Sequence, residues 1–440
     1  MFEIGRELKR FFHPAAAPRD GLSLGDASLL ELLTLDLLTA EAKAADVAAG
    51  RIGVQDKPRR LLESSVVWRE LARRSGDAAA LRKAAACAEQ AGRLAKQEDR
   101  LHVEAEALCE QARAGLVGAD LFGEEGLHAA ADHLLGRAID APEVQAMGVA
   151  VKARLALGGY DPLALHAAIE AFAAVLADRR TRLCAGERLR LKLELAELLT
   201  GAGARLGDAA LIGQALSELA ELISGLDGAY NPILLARAQE LRGLGLLKLA
   251  EMRADAAAAL GALEALDAAL ELIEPDHSPL DWARLQHGRG LALSTLAELG
   301  DDERSFLRAL QAFGQTLGVV GKQTHLALRA VAVQDRAACL VRQAESKGDL
   351  YALDEAEAVL RGELGALKSP PDPVAWAVLQ LNLARIYEAQ AKALGRDHGE
   401  HARAGEALIA ALDVFSENGL RSLADMAATD LERLREASAA

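Results

Sequence analysis

The 440-residue sequence is poor in aromatic residues and in cysteine. Aromatic side chains make up 3% of the chain, although hydrophobic residues make up 51%. Its four cysteines stand far apart in apolar helical contexts: Cys87, Cys109, Cys184 and Cys339. No two of them have the spacing of a disulfide framework or of a zinc site. We therefore expect buried free thiols in a reducing compartment.

Positive charge and long apolar runs are scarce as well. The formal net charge is −15, whereas general nucleic-acid binding needs a basic footprint. No apolar run is long enough to span a bilayer, and no signal-peptide core follows the start. We expect a cytoplasmic protein that binds no nucleic acid and whose partners are basic in part. The excess of arginine over lysine and the scarcity of asparagine suggest a GC-rich bacterial genome.

The sequence lacks a recognisable catalytic or cofactor motif. Gly243 and Gly245 lie inside a predicted helix, so they do not form a phosphate loop. One cluster has the side-chain types of a metal site, and it consists of Asp397, His398, Glu400 and His401. This cluster lies in a polar turn, where a solvated helix start is the favoured interpretation. We expect no catalytic residue, no cofactor and no metal, and a protein that is not an enzyme.

The sequence does contain an internal repeat. An alanine recurs every 47 residues, at Ala168, Ala215, Ala262, Ala309 and Ala356. A second series of small residues keeps about the same period and stands one predicted helix earlier, at Ala196, Gly243, Gly290, Ala338 and Ala384. Small residues let two helices approach closely where they cross. The shared period, with frequent alanine and leucine, predicts an all-α solenoid of stacked antiparallel helix pairs.

The segments PLDWARLQHGRGLAL and DPVAWAVLQLNLARIYEAQ resemble the tetratricopeptide repeat (TPR) family, in an extended bacterial version. The resemblance covers residues 141–416 well, 58–140 loosely and 1–22 not at all. It departs from the family in length, since about 47 residues replace the usual 34 or so. Arg242 and Arg289 also stand where a leucine usually precedes the small residue. The resemblance implies a right-handed superhelix that binds protein or peptide on its concave face, and no chemistry.

The repeats suggest four segments. Residues 1–22 form an amphipathic helix and a proline-rich linker, and residues 23–140 form degenerate early repeats. Residues 141–416 form six helix pairs, and residues 417–440 form a capping helix over the end of the stack. Within the early repeats, the apolar pattern predicts one long helix over residues 24–49, ended by Gly50.

Three arginines with the repeat period are candidates for partner binding. Arg190, Arg237 and Arg284 are spaced 47 residues apart in the first helix of their pairs. The TPR resemblance would place them in the concave groove, where an arginine fork suits carboxylates. The alternative is that each pairs with a nearby acid on an exposed face.

The N-terminal helix is the second candidate for partner binding. Its apolar side chains include Phe2, Leu8, Phe11 and Phe12. Acidic and basic residues are mixed on its polar face, so attraction to an anionic membrane is weak. We expect it to dock on its own chain or on a partner, and any membrane contact would be through residues 1–12.

Two functions from different classes are compatible with these patterns. The first is a non-enzymatic scaffold or adaptor that binds a protein or an extended peptide on the concave face. The alternative is a peptide-responsive transcription regulator with a DNA-binding module in residues 23–94. Its support is an arginine-rich helix with Arg59, Arg60, Arg69, Arg73 and Arg74 beside Trp68. The sequence fixes neither the partner nor the oligomeric state.

Overall fold

The described part of the chain is built of helices without strands. The computed structural model describes residues 27–440 apart from Ile52, Glu125, Tyr160, 179–182, Cys184, Asp301, 321–325, 348–349, 367–372, 418–420 and Ala440. The predicted N-terminal helix, with Phe2, Leu8, Phe11 and Phe12, lies outside these residues. The prediction of an all-α fold, a solenoid of stacked helix pairs, is confirmed.

The helices follow one another with short connections. The first half contains a 3-10 helix, η1 (Ala27–Leu32), and then α1 (Leu35–Gly50), α2 (Lys57–Ser75), α3 (Ala78–Gln97), α4 (Leu101–Phe122), α5 (Gly126–Leu135), α6 (Pro142–Gly158), α7 (Pro162–Ala177), α8 (Ala185–Leu206) and α9 (Ala209–Gly225). The second half contains α10 (Pro232–Arg253), α11 (Ala256–Leu270), α12 (Pro279–Gly300), α13 (Glu303–Val319), α14 (Leu326–Lys347), α15 (Leu350–Ala366), α16 (Pro373–Leu394), α17 (Glu400–Glu417) and α18 (Arg421–Ala439).

The described residues form two compact units. The first contains those up to Gly288 together with Val319–Ala327, and the second contains Arg289–Gly318 and Leu328–Ala440. In the first unit, α2 pairs with α3, α4 with α5, α6 with α7, α8 with α9, and α10 with α11. In the second unit α16 packs against α15 and α17, and α18 packs on α17.

An aspartate with the repeat period starts the second helix of successive pairs. The carboxylates of Asp161, Asp208, Asp255 and Asp302 each accept a hydrogen bond from the N–H two residues further on, at 2.8–3.1 Å. Such a cap satisfies one of the N–H groups that the first turn leaves unpaired, which stabilises a helix by about 1 kcal/mol. The sequence therefore fixes where each second helix begins.

The small residues lie where the paired helices cross, as predicted. Ala215 and Ala262 have no exposed surface. A Cβ added to Gly243 on α10 would lie 3.1 Å from the carbonyl oxygen of Ala262 on α11, its partner helix. Because that separation leaves no room for a larger side chain, the two repeat markers set the distance between the helices.

The prediction of one helix over residues 24–49 is wrong at its start. The segment contains η1, and α1 begins only at Leu35. The guanidinium of Arg74 donates to the carbonyl oxygens of Leu30 and Leu33, at 3.1 and 2.7 Å. These carbonyls are thus satisfied by a side chain from another helix, and the segment breaks before α1.

The structure places three of the four cysteines in the core. Cys87, Cys109 and Cys339 are free and buried, and Cys184 lies outside the described residues. Burial raises the pKa of Cys109 to about 12 and that of Cys339 to about 11. These thiols are therefore protonated packing residues near neutral pH. Within the described chain, no helix combines the length and the apolarity that a bilayer span requires.

Candidate functional site

The first helices of successive pairs form a continuous layer in the first unit. Helix α4 contacts α2 and α6, and α8 contacts α6 and α10. One face of this layer is lined by arginines and carboxylates rather than by apolar side chains. The charged side chains connect six helices, and we call them the ion-pair ring: Arg69, Glu70, Arg73, Glu110, Arg113, Asp120, Arg154, Glu187, Glu197, Arg237, Glu240, Asp281 and Arg284.

The first part of the ion-pair ring joins α2, α4 and α8. Nε of Arg69 lies 2.6 Å from a carboxylate oxygen of Glu110, and both side chains are buried. Arg113 follows one turn after Glu110 on α4, with 3.7 Å between their charged atoms. It also donates to Glu187 on α8 at 2.9 Å. Glu110 and Arg113 thus link α4 to α2 on one side and to α8 on the other.

The second part joins α6, α8, α10 and α12. Arg154 on α6 lies 3.1 Å from Glu197 on α8, and Glu197 is also 3.1 Å from Arg237 on α10. Arg237 donates to Glu240 at 2.7 Å, and Glu240 lies 4.0 Å from Arg284 on α12. Arg154 contacts acids on the first helices before and after its own, at Asp120 and Glu197. Arg237 and Arg284 each contact one acid on their own helix and one on the preceding first helix.

The ring closes between α12 and α2. Asp281 pairs with Arg284 in its own helix and with Arg73 on α2, whose Nη1 lies 3.0 Å from both carboxylate oxygens. The hydroxyl of Ser278 donates to the same carboxylate at 2.6 Å. Burial alone would raise the pKa of Asp281, but Arg73 and Arg284 outweigh it and hold the pKa well below its usual range.

The carboxylate of Glu197 is held in the same way. Burial would raise its pKa, but Arg154 and Arg237 lower it to about 2. Glu197 is therefore ionised at neutral pH, and each neighbouring guanidinium has its counter-ion. Arg237 and Arg284, two of the three predicted groove arginines, thus have counter-ions within the protein.

The third groove arginine, Arg190, differs from the other two in its contacts. It lies half-buried on α8, and within the part of the chain that the structure describes it has no hydrogen bond or ion pair. Burial and the neighbouring Arg69 lower its pKa. Glu194, one turn further on α8, is likewise half-buried and makes no such contact with a described residue. Burial raises its pKa.

The segment η1 lies beside this charged face. The carboxylate of Glu31 accepts the backbone N–H of Leu234, the third residue of α10, at 3.1 Å. It takes the place of Asn231, which precedes α10 but makes no side-chain cap. Nε2 of His277 lies 2.6 Å from the carbonyl oxygen of Glu31. The start of the described chain is therefore anchored to residues more than 200 positions away.

The arginine-rich helix of the alternative function is α2, and its arginines face acids or buried carbonyls. Arg59 lies 3.6 Å from Asp56, and Arg60 lies 2.9 Å from Glu63. The remaining three are Arg69, Arg73 and Arg74, whose contacts are described above. Trp68 is 8% exposed and packs in the core, with Nζ of Lys83 4.5 Å from its ring centroid. The basic composition of α2 is thus largely neutralised in the fold.

The cluster at residues 397–401 starts a helix. The carboxylate of Asp397 accepts N–H groups from Gly399 at 2.9 Å and from His401 at 3.1 Å. Glu400 accepts the N–H of His398. The carboxylates thus satisfy the first turn of α17. Among the described residues, no group of three or more potential ligands is arranged to hold a metal ion.

Sequence reasoning identified the arginine series but missed the acids that decide its role. Glu194 and Glu197 lie on the same face of α8 as Arg190, at helical spacing, and that periodicity was available in the sequence. Glu31 and Arg73 had no such signal, because their partners belong to repeats far along the chain.

Comparisons with known proteins concern the fold. No protein-family model and no curated protein sequence matches the chain. Similar solved structures include a Rap protein complexed with competence and sporulation factor, at 11% identity over 87% of this chain and 99% of that chain, TM-score 0.48. A monomeric mutant of IFIT1 with m7Gppp-AAAA is 15% identical over 98% of this chain and 93% of that chain, TM-score 0.48.

A third similar structure is a signal transduction ATPase with numerous domains from Pyrococcus horikoshii, which has a tetratricopeptide repeat sensor. Identity is 11%, over 89% of this chain and 55% of that chain, with a TM-score of 0.47. These neighbours are TPR-like helical repeat proteins, in keeping with the resemblance seen in the sequence.

Proposed function

We propose that the first unit is a binding scaffold that takes a protein or an extended peptide on the face with the ion-pair ring. The observation behind this proposal is that the face is charged, partly accessible and built on rigid helices. Side chains of Arg154, Glu197, Arg237 and Arg284 keep 24–31% of their surface exposed while paired. Full burial of these charges would carry a desolvation cost, whereas here the paired side chains stay in partial contact with solvent and are accessible to a ligand.

A non-enzymatic role fits this arrangement. The groups of the ring whose pKa values are strongly shifted are carboxylates and guanidiniums. They hold each other in the ionised form, as the members of structural ion-pair networks do. None of the predicted features requires a cofactor. Cytoplasmic location and bacterial origin stay predictions from composition.

The proposal is tested by selecting peptides from a random display library on the full chain. Bound peptides should then slow hydrogen exchange in α8 and α10, on the face of the ring. Protection confined to the second helices α7, α9 and α11 would place binding on the other layer. Failure to select any peptide above background would count against the proposal itself.

The DNA-binding alternative is weaker on these contacts, since the arginines of α2 already have partners. It is tested by a gel shift with duplex DNA at low salt, where non-specific binding is strongest. A capped single-stranded RNA is tested in the same experiment. The argument against nucleic acid is the negative net charge of the chain, and it applies to RNA as much as to DNA. A salt-dependent shift with either probe would favour a nucleic-acid function.

A further inference from the structure

Helix α8 presents four charged residues on the face of the ion-pair ring, and only the outer two pair with residues that the structure describes. Glu187 is held by Arg113 at 2.9 Å, and Glu197 by Arg154 and Arg237, each at 3.1 Å. Between them lie Arg190 and Glu194. Neither makes a hydrogen bond, or an ion pair within 4.0 Å, with a described residue, and they do not pair with each other.

The surrounding charges cannot complete this pair. The acids nearest to Arg190 in electrostatic effect are Glu70 and Glu31. Glu70 is bound to Arg73 at 2.8 Å, and Glu31 caps Leu234. The guanidiniums nearest to Glu194 in electrostatic effect are equally occupied, since Arg154 is bound to Glu197 and Arg113 to Glu187. The two unpaired charges thus stand in a network in which other counter-ions are already used.

Leaving two half-buried charges without partners is unfavourable, whereas a ligand with opposite charges would remove the cost. Residues four apart on a helix have Cβ atoms about 5–6 Å apart. Side chains two positions apart in an extended strand lie on one face, about 7 Å apart. An extended peptide can therefore place one acidic and one basic side chain opposite Arg190 and Glu194 together.

We propose that Arg190 and Glu194 form a two-charge clamp for an extended peptide segment with an acidic and a basic side chain two positions apart. This inference rests on the proposed peptide-binding function and specifies its ligand. Arginine suits the acidic side because its planar fork donates two parallel hydrogen bonds to a carboxylate. The clamp selects a charge pattern rather than a net charge.

The test uses four fluorescein-labelled heptapeptides that differ at two positions, two residues apart: acidic and basic, both acidic, both basic, or both neutral. Fluorescence anisotropy with the full chain should show the mixed peptide binding about tenfold or more tighter than the others, the ratio that roughly one charge-assisted contact supplies. Its affinity should fall as salt is raised.

Two substitutions should change which peptide the clamp prefers. Arg190→Glu leaves two acids on the clamp, so the peptide with two basic residues should become the preferred one. Glu194→Arg leaves two cations, so the peptide with two acidic residues should be preferred. A merely structural role would not produce these reciprocal changes. Arg242→Gln and Glu264→Gln, at exposed positions on α10 and α11, are the controls and should leave all four affinities unchanged.

The peptide measurements distinguish a failure of the clamp from a failure of peptide binding as a whole. Equal binding of all four peptides, unchanged by Arg190→Glu and Glu194→Arg, would overturn the clamp and leave peptide binding standing. Binding of none of them would overturn the clamp, and an unsuccessful library selection would then overturn peptide binding as well. A reciprocal switch in preference, with unaltered circular dichroism, would establish the clamp.

Discussion

Arg73 and Asp281 are 208 positions apart, yet Nη1 of Arg73 lies 3.0 Å from both carboxylate oxygens of Asp281. Asp281 is nearly buried and Arg73 is partly so. This contact joins α2 to α12 and closes the ion-pair ring. It brings together helices that the repeat period places several pairs apart.

The two ends of this contact should be energetically coupled, so that changing both residues costs less stability than the sum of the two single changes. In a double-mutant cycle, Arg73→Ala and Asp281→Ala should each destabilise the first unit. The coupling energy should be on the order of 1–3 kcal/mol, because either single change takes one of two counter-ions from its partner: Arg73→Ala leaves Asp281 with Arg284 alone, and Asp281→Ala leaves Arg73 with Glu70 alone. Hydrogen exchange in α2 and in the start of α12 measures it. The exposed pair Lys248 and Glu251 is the control, with an expected coupling below about 1 kcal/mol. Additive effects at Arg73 and Asp281 would contradict the prediction.

The three repeat-locked arginines should differ in their effect on stability. Arg237→Gln should destabilise the fold by roughly 1–3 kcal/mol, since it removes the cation that Glu197 and Glu240 share and leaves each with a single arginine. Arg190→Gln should be neutral or stabilising, because Arg190 has no partner to lose among the described residues. Thermal unfolding of the two variants decides the matter. An equal loss in both would mean that Arg190 is a structural member of the ring.

The ring should weaken in acid. Burial would raise the pKa of Glu197, but Arg154 and Arg237 lower it to about 2, below its ordinary value of 4.5. Its stabilising contribution is therefore complete above pH 4.5 and is lost as the pH falls towards 2. By linkage this is roughly 3 kcal/mol. Denaturant unfolding across that range measures it, and Glu197→Gln should flatten the profile. An unchanged acid limb in that variant would show that other carboxylates dominate.

The contribution of Glu194 to stability should change with pH in the opposite direction. Burial raises its pKa, so the folded state favours the protonated form, and stability is lost as the pH rises through the folded value. Glu194→Gln should consequently increase stability at pH 7. Comparison of unfolding midpoints at pH 7 with those of the parent and of Glu264→Gln measures the gain. A loss of stability would indicate that ionised Glu194 is favourably placed.

The glycine at a helix crossing should not tolerate a side chain. A Cβ at Gly290 would lie 2.6 Å from Cε1 of Phe313, which has no exposed surface. Gly290→Ala should destabilise the second unit by about 1–3 kcal/mol through overpacking, and Gly290→Leu by more. Gly314→Ala is the matched control, because a Cβ there meets nothing within 4 Å. It should stabilise α13 by roughly 0.5–1 kcal/mol. Thermal midpoints of the variants are compared, and a neutral Gly290→Ala would mean that Phe313 relaxes freely.

The sequence by itself determined the helices, their pairing and their crossings. Asp208 and Asp255 start helices through local hydrogen bonds, and Gly243 and Ala262 set a crossing through their size. These effects act between neighbours in the chain or between the two helices of one pair. They therefore appear as a period in the sequence.

Tertiary structure alone decided which charges are paired between helices. Arg190 and Arg237 are equivalent in the repeat, but among the described residues only Arg237 forms ion pairs, with acids on α8 and α10. Arg73 meets Asp281 because the layer of first helices brings α2 back to α12. The break after η1 depends on Arg74 in the same way. An ion pair requires two side chains within a few ångströms of each other, and the repeat period does not contain the distance between helices of non-adjacent pairs.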